Sequence, residues 1–330
     1  MYKKLMSALI VTFLLIENSF IVQAAAARIE DMMFPAPASL YRTDIDELLF
    51  ILENGFGFKE NQVLFDDDVE LDIYSSYAIL VNLTTNEVVY ERNADIRAYP
   101  ASLTKMMTVL IGLQNATQDT MTVNVDFNEL LVAGAAVAGF SNYEVVATKD
   151  MLMATMLPSG ADAALSLAEE IAGSEAAFVE LMNQKADALG MEETHFTNVT
   201  GLHDDDHYTT ARDMAILVKF ALRNPEFREI FSAKSYTTQM GNPLTFTSRM
   251  FDRMPSPVLA GGEILGGKTG YTWEAFLCLA SYATDGENEY ALVTMHAEGG
   301  PRTPQFHVMD ALNIYEYFLS KDFTNKMTFN

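Results

Sequence analysis

Apolar residues recur along this chain at two different periods, and the change of period marks its parts. A run of about a dozen mostly apolar residues, 5–16, follows Lys3 and Lys4 and precedes the small residues Ala24, Ala25, Ala26 and Ala27. At 44–53 the positions Ile45, Leu48, Leu49 and Leu52 share one face of a short helix. From Tyr77 the pattern becomes that of strands. Segments 77–81 and 87–90 flank Thr84-Thr85-Asn86, which predicts a β-hairpin. Pro100 then introduces a strongly apolar helix over 102–113, and residues 128–230 are mainly helical, with helices at 149–157, 161–172, 175–189 and 211–222. Strands return at 267–270, 276–282 and 290–295, and a last helix covers 305–319. Strands at both ends with helices between predict an α+β fold, a sheet domain containing an inserted helical lobe.

Composition narrows what such a fold does. Hydrophobic residues make up 49% of the 330, enough for a large core and too many for a disordered chain. Asp and Glu number 45 against 21 Lys and Arg, a net charge of −24. That balance argues against nucleic acid as a partner and against charge-driven adhesion to an anionic membrane. The single cysteine, Cys278, excludes an intramolecular disulfide, and its apolar surroundings predict a buried thiol.

The start of the chain reads as an address. Two lysines, a short apolar stretch and a Val22-Gln23-Ala24 cleavage site mark residues 1–27 as a secretory signal peptide. The protein is therefore expected outside the cytoplasmic membrane, in the cell envelope or beyond it. Residues 28–70, with their Asp66-Asp67-Asp68 run, form an acidic N-terminal extension, and 71–330 form the main domain. No amphipathic stretch follows the last helix, so no C-terminal membrane anchor is expected.

Three short motifs carry chemistry. Ser102-Leu103-Thr104-Lys105 sets a hydroxyl and an amine one helical turn apart, on one face, at a helix start where partial positive charge gathers. A lysine becomes a general base when burial or a neighbouring cation lowers its pKa. Lys268-Thr269-Gly270 follows Gly266 and Gly267, so a strand offers an ammonium and a hydroxyl where a ligand backbone can approach. Ser159-Gly160 joins two apolar helices. Read alone, Ser159 is an N-cap, with Asp162 in the first helical turn. The order S-x-x-K, Ser-Gly, K-T-G is the set found in penicillin-binding proteins and class A β-lactamases.

Longer strings sharpen this. Tyr99-Pro100-Ala101-Ser102-Leu103-Thr104-Lys105-Met106-Met107-Thr108, Asn198-Val199-Thr200-Gly201-Leu202-His203, His207-Tyr208-Thr209-Thr210-Ala211-Arg212-Asp213 and Lys268-Thr269-Gly270-Tyr271-Thr272 resemble the serine D-alanyl-D-alanine carboxypeptidases, the low-molecular-weight penicillin-binding proteins. The resemblance implies the β-lactamase/DD-peptidase-like fold, an antiparallel sheet flanked by helices with the active site between sheet and helical lobe. It implies Ser102 as nucleophile, Lys105 as its base and Ser159 as a proton relay. Lys268 would hold positive field over the site and keep Lys105 neutral. Thr269, Gly270, Tyr271 and Thr272 would line the substrate, with Thr269 and Thr272 on its carboxylate and Arg302 a further candidate for that group. The implied partner is a peptidoglycan stem peptide ending in D-Ala-D-Ala, with β-lactams as covalent inhibitors, and no metal or cofactor.

One position departs from the pattern. The family's second motif is Ser-x-Asn, and here Ala161 stands where Asn is usual. The loss raises the prospects of a slow enzyme, of Asp162 standing in, or of a non-catalytic peptidoglycan-binding homologue. A β-lactamase-like hydrolase is the rival with the same chemistry. His203 and His207, four apart as in some zinc sites, also belong to the family strings. Tyr143, Trp273 and Phe276 suit either a cleft wall or the core.

Overall fold

A computed structural model describes residues 57–59 and 71–320. The expected signal, the 44–53 helix and the Asp66–Asp68 run lie outside the described residues. Phe58–Asn330 belong to one compact unit.

The expected hairpin forms from β1 (Ser75–Asn82) and β2 (Glu87–Arg92). Asn86, in the left-handed region at φ 64°, makes the turn. After a short 3-10 turn, Ala101–Leu103, comes α1 (Thr104–Asn115). Every residue from Thr104 to Gly112 is buried, so this helix is core on all sides. The helical lobe continues through β3 (Thr120–Thr122), α2 (Phe127–Val132), β4 (Val145–Ala147), α3 (Thr148–Met156), α4 (Ala161–Ala172) and α5 (Glu175–Leu189). Then follow α6 (Ala211–Ala221), α7 (Pro225–Ser232) and the small ribbon β5 (Ser235–Thr237) with β6 (Thr245–Thr247). The chain returns to the sheet as β7 (Val258–Leu259), β8 (Gly262–Thr272), β9 (Phe276–Thr284) and β10 (Glu289–Ala297), and ends on α8 (Phe306–Leu319).

The six-stranded sheet is antiparallel throughout, in the order β2-β1-β10-β9-β8-β7. β1 and β10 pair in its middle, with Ile79 opposite Val293. One face, with Ala78, Leu80, Leu279 and Leu292, packs under α8 through Val308, Ala311, Ile314 and Tyr315. Asp310 ties that helix to β1 by accepting from the backbone N–H and hydroxyl of Ser75 at 2.8 and 2.5 Å. The α+β expectation holds.

β8 begins five residues earlier than its pattern predicts. Its first half is glycine-rich and shows no alternation of side chains to read. Gly266 is there for contact: a Cβ would sit 2.4 Å from the Phe231 carbonyl oxygen. No described helix is long and apolar enough to cross a membrane.

Candidate active site

The 3-10 turn places Ser102 where the sheet meets the helical lobe. Pro100 leads into it, and Ala101 takes a left-handed φ of 49°. One turn into the helix, Lys105 donates to Ser102 Oγ at 3.3 Å. The same ammonium donates to the Thr200 carbonyl at 2.5 Å. Thr200 is held by Asn198, whose Oδ1 accepts the backbone N–H of Thr200 at 3.1 Å and of Gly201 at 2.7 Å.

Ser159 is not a helix cap. Gly160 is the N-cap of α4, and Ser159 adopts a left-handed φ of 66°. That conformation aims its hydroxyl at Lys268, whose ammonium donates to Ser159 Oγ at 2.9 Å and to the Thr269 carbonyl at 2.8 Å. β7 pairs with β8 only at Gly262 and Glu263. The stretch from Lys268 to Thr272 runs against the Ser102 turn, where a Cβ on Gly270 would stand 3.1 Å from the Ser102 nitrogen. A cleft of about 260 Å³ results, lined by Ser102, Lys105, Ser159, Ala161 and Thr269 to Thr272.

Both lysines of this region are buried. Lys105 is 2% exposed. Its pKa falls to about 7, chiefly through burial and next through the Arg249 guanidinium, while Asp162 opposes the shift. Lys268 is pushed well down by burial, then by Lys105, Arg249 and Arg253. Lys268 was expected to supply the fixed positive field that keeps Lys105 neutral. Burial and the same neighbouring cations lower its own proton affinity. Fixed positive charge also comes from Arg249 and Arg253, which line the cleft and do not deprotonate. Among the described residues, neither guanidinium is hydrogen-bonded or ion-paired with a carboxylate. The sequence reading passed over both, because they lie in the irregular segment 248–254 outside any motif. Their signal was two arginines four apart, 15 and 19 residues before Lys268, in an acidic chain.

Arg302 is exposed and does not line the cleft, although its neighbour Pro301 does. Tyr143 and Trp273 are exposed, not core. Trp273 meets the Tyr271 ring edge-on at 5.9 Å.

Ala161 is fully buried at the cleft wall. Asp162 does not stand in for the missing Asn. Its two oxygens accept the backbone N–H groups of Ala138 at 2.7 Å and Gly139 at 3.1 Å. It thereby ties down the loop whose Gly134 to Ala136 form part of the cleft wall. The Thr200 carbonyl, not a side chain at 161 or 162, is the acceptor that orients Lys105. Both ring nitrogens of the buried His207 are engaged, by Thr104 and Thr197, which leaves neither for a metal.

Known proteins resemble this chain over most of its length. A family model described as D-alanyl-D-alanine carboxypeptidase matches residues 64–299. The carboxypeptidase DacF of Bacillus subtilis is 31% identical over 74% of this chain and 62% of its own length. DacA of Escherichia coli is 33% identical over 63% of this chain and 53% of its own. The chain thus spans a little over half the length of these curated relatives. Among solved structures, the DD-transpeptidase of Streptomyces K15 matches with a TM-score of 0.66 and 25% identity, over 76% of this chain and 98% of that one. A D-alanyl-D-alanine carboxypeptidase from Mycobacterium tuberculosis matches with a TM-score of 0.65 and 25% identity, over 75% and 91%. A hydroxyl–amine pair at a helix start, a second such pair beside it and a family match that spans both place this chain in the D-alanyl-D-alanine carboxypeptidase family.

Proposed function

We propose that this protein is a serine D-alanyl-D-alanine carboxypeptidase, which removes the terminal D-Ala from peptidoglycan stem peptides through an acyl-enzyme. The observation that carries the reading is the Lys105–Ser102 pair: a buried amine with a pKa of about 7, within 3.3 Å of a hydroxyl at a helix start. An amine so tuned is about half neutral near pH 7 and still basic enough to take the hydroxyl proton. Ser102 Oγ attacks the carbonyl between the two D-alanines as Lys105 accepts its proton. The oxyanion is taken by the backbone N–H groups of Ser102 and Tyr271. Lys105 passes its proton by way of Ser159, which is bonded to Lys268, to the leaving nitrogen, so the C–N bond breaks, free D-Ala departs and Lys105 is neutral again. Water, deprotonated at the same site, then attacks the ester, and the proton returns to Ser102.

The product D-Ala carries a carboxylate. Thr269 and Thr272 offer hydroxyls to it, Gly270 and Tyr271 the backbone that the peptide lies along, and Arg249 and Arg253 the charge. Arg302 would have to swing in from the surface to join them. A β-lactam fits the same reading as a strained amide that acylates Ser102 and leaves slowly. An exported protein, carried by the 1–27 signal to the cell envelope, meets this substrate where it is made.

Release of D-Ala from a stem pentapeptide tests the reading. Wild type is expected to release it, and Ser102→Ala to release none. A protein that turns over penicillin quickly without releasing D-Ala would instead be a β-lactamase-like hydrolase.

A further inference from the structure

Behind the nucleophile runs a chain of buried hydrogen bonds that the reaction above does not use. The backbone N–H of Thr197 donates to Nδ1 of His207 at 3.0 Å, and the Thr197 hydroxyl lies 3.2 Å from the same nitrogen. A ring nitrogen that accepts a backbone N–H carries no proton, so the neutral imidazole bears its hydrogen on Nε2. Nε2 lies 2.8 Å from Thr104 Oγ1 and donates to it. The Thr104 hydroxyl is then left to donate to the Ala101 carbonyl, at 2.8 Å. His207 is 2% exposed and Thr104 fully buried, so water does not compete for these groups. The direction of every bond in the chain is fixed.

The chain ends on the peptide unit that carries the nucleophile. The Ala101 C=O and the Ser102 N–H belong to one planar group and point in opposite directions. Ala101 is left-handed, which a residue with a Cβ disfavours, so this unit must be held. Gly201, at φ 76°, closes over the same oxygen, where a Cβ would stand 1.8 Å from it and 2.9 Å from the Thr104 hydroxyl.

On the acyl-enzyme reading, we propose that His207 is a positioning residue: through Thr104 it fixes the plane of the Ala101–Ser102 peptide and so aims the Ser102 N–H at the developing oxyanion. An aimed donor matters in the transition state and little in the ground state. The loss therefore falls on kcat and on the acylation rate, not on KM.

Two variants break the chain at different links, His207→Leu and Thr104→Val. His207→Gln restores it, since an amide both accepts from Thr197 and donates to Thr104. The Leu and Val variants are expected to lose about ten- to hundredfold in acylation rate, with KM within about twofold. Affinity for a peptide boronic acid, which forms the tetrahedral adduct on Ser102, should fall in parallel. Gln should recover most of the loss, and the double variant should be no worse than either single one. The ¹⁵N spectrum of wild type should show His207 protonated on Nε2 at pH 7. Wild-type acylation in the Leu variant, a loss confined to KM, or a lowered melting temperature with unchanged acylation of the folded fraction would each overturn the proposal. So would a proton on Nδ1, a readout that needs no activity and so separates a wrong bond chain from a wrong reaction.

Discussion

Lys105 shows how one buried side chain sets both a reaction and a cost. Its ammonium is removed from water, and the Thr200 carbonyl and Ser102 hydroxyl offer only partial compensation. The folded pKa of about 7 lies below the ordinary lysine value of 10.5. Between these values the unfolded chain binds the proton and the folded one does not. Stability contributed by this group therefore rises with pH across that window and is lost as pH falls toward 7. Acylation by a β-lactam should follow the same neutral amine, rising with pH through about 7 and levelling above it. Lys105→Met should abolish acylation and raise the melting temperature, since a buried charge site becomes apolar. Arg249 is the cation that helps to depress Lys105. Arg249→Ala should move the rise in acylation to higher pH and weaken binding of carboxylate-ended peptides about tenfold or more. A pH profile identical to wild type would contradict that role.

At the scale of elements, the site is built where regular structure stops. Ser102 sits in a 3-10 turn, Ser159 between two helices, and Thr200 in a loop held by Asn198. Those loops hold their shape through close contacts that tolerate no added atoms. Gly201→Ala would place a carbon on the Ala101 oxygen. It is expected to cost at least tenfold in acylation, measured on protein shown to be folded. The helices that position these loops were legible in the sequence because their apolar stripes are long. The 161–172 and 175–189 helices match their expected bounds, and their neighbours differ by a residue or two. The short pieces were not legible: α2, α7 and the β5–β6 ribbon are too brief to show a period. The motifs gave Ser102 and both lysines, which the structure brings to one cleft region. They did not give Arg249, Arg253 or the Thr200 carbonyl. The two arginines lie in an irregular stretch, and a backbone acceptor has no sequence signature at all. Ser159 was read as a cap when taken alone because a serine before a helix usually is one. Its left-handed backbone, visible only in three dimensions, turns it toward Lys268 instead.

For the whole molecule, a net charge of −24 sets off a cleft lined by two arginines, Arg249 and Arg253, with Asp162 turned away to its loop. Such a cleft focuses positive potential toward an anionic ligand inside an acidic surface. The sheet that supports it has an edge at β2. Lys59 covers part of that edge: its N–H donates to the Asn86 carbonyl at 2.8 Å, and its carbonyl accepts from Val88 at 3.1 Å. Deleting residues 28–59 should therefore lower the melting temperature by about a few degrees and leave acylation intact. An unchanged melting temperature would show that the strap contributes nothing. The central claim is that Ser102 is the acylated residue of a penicillin-sensitive peptidase. Intact-mass analysis after incubation with penicillin tests it most directly. Wild type should gain the mass of one penicillin and Ser102→Ala none. No adduct on wild type, or the same adduct on both, would contradict the account.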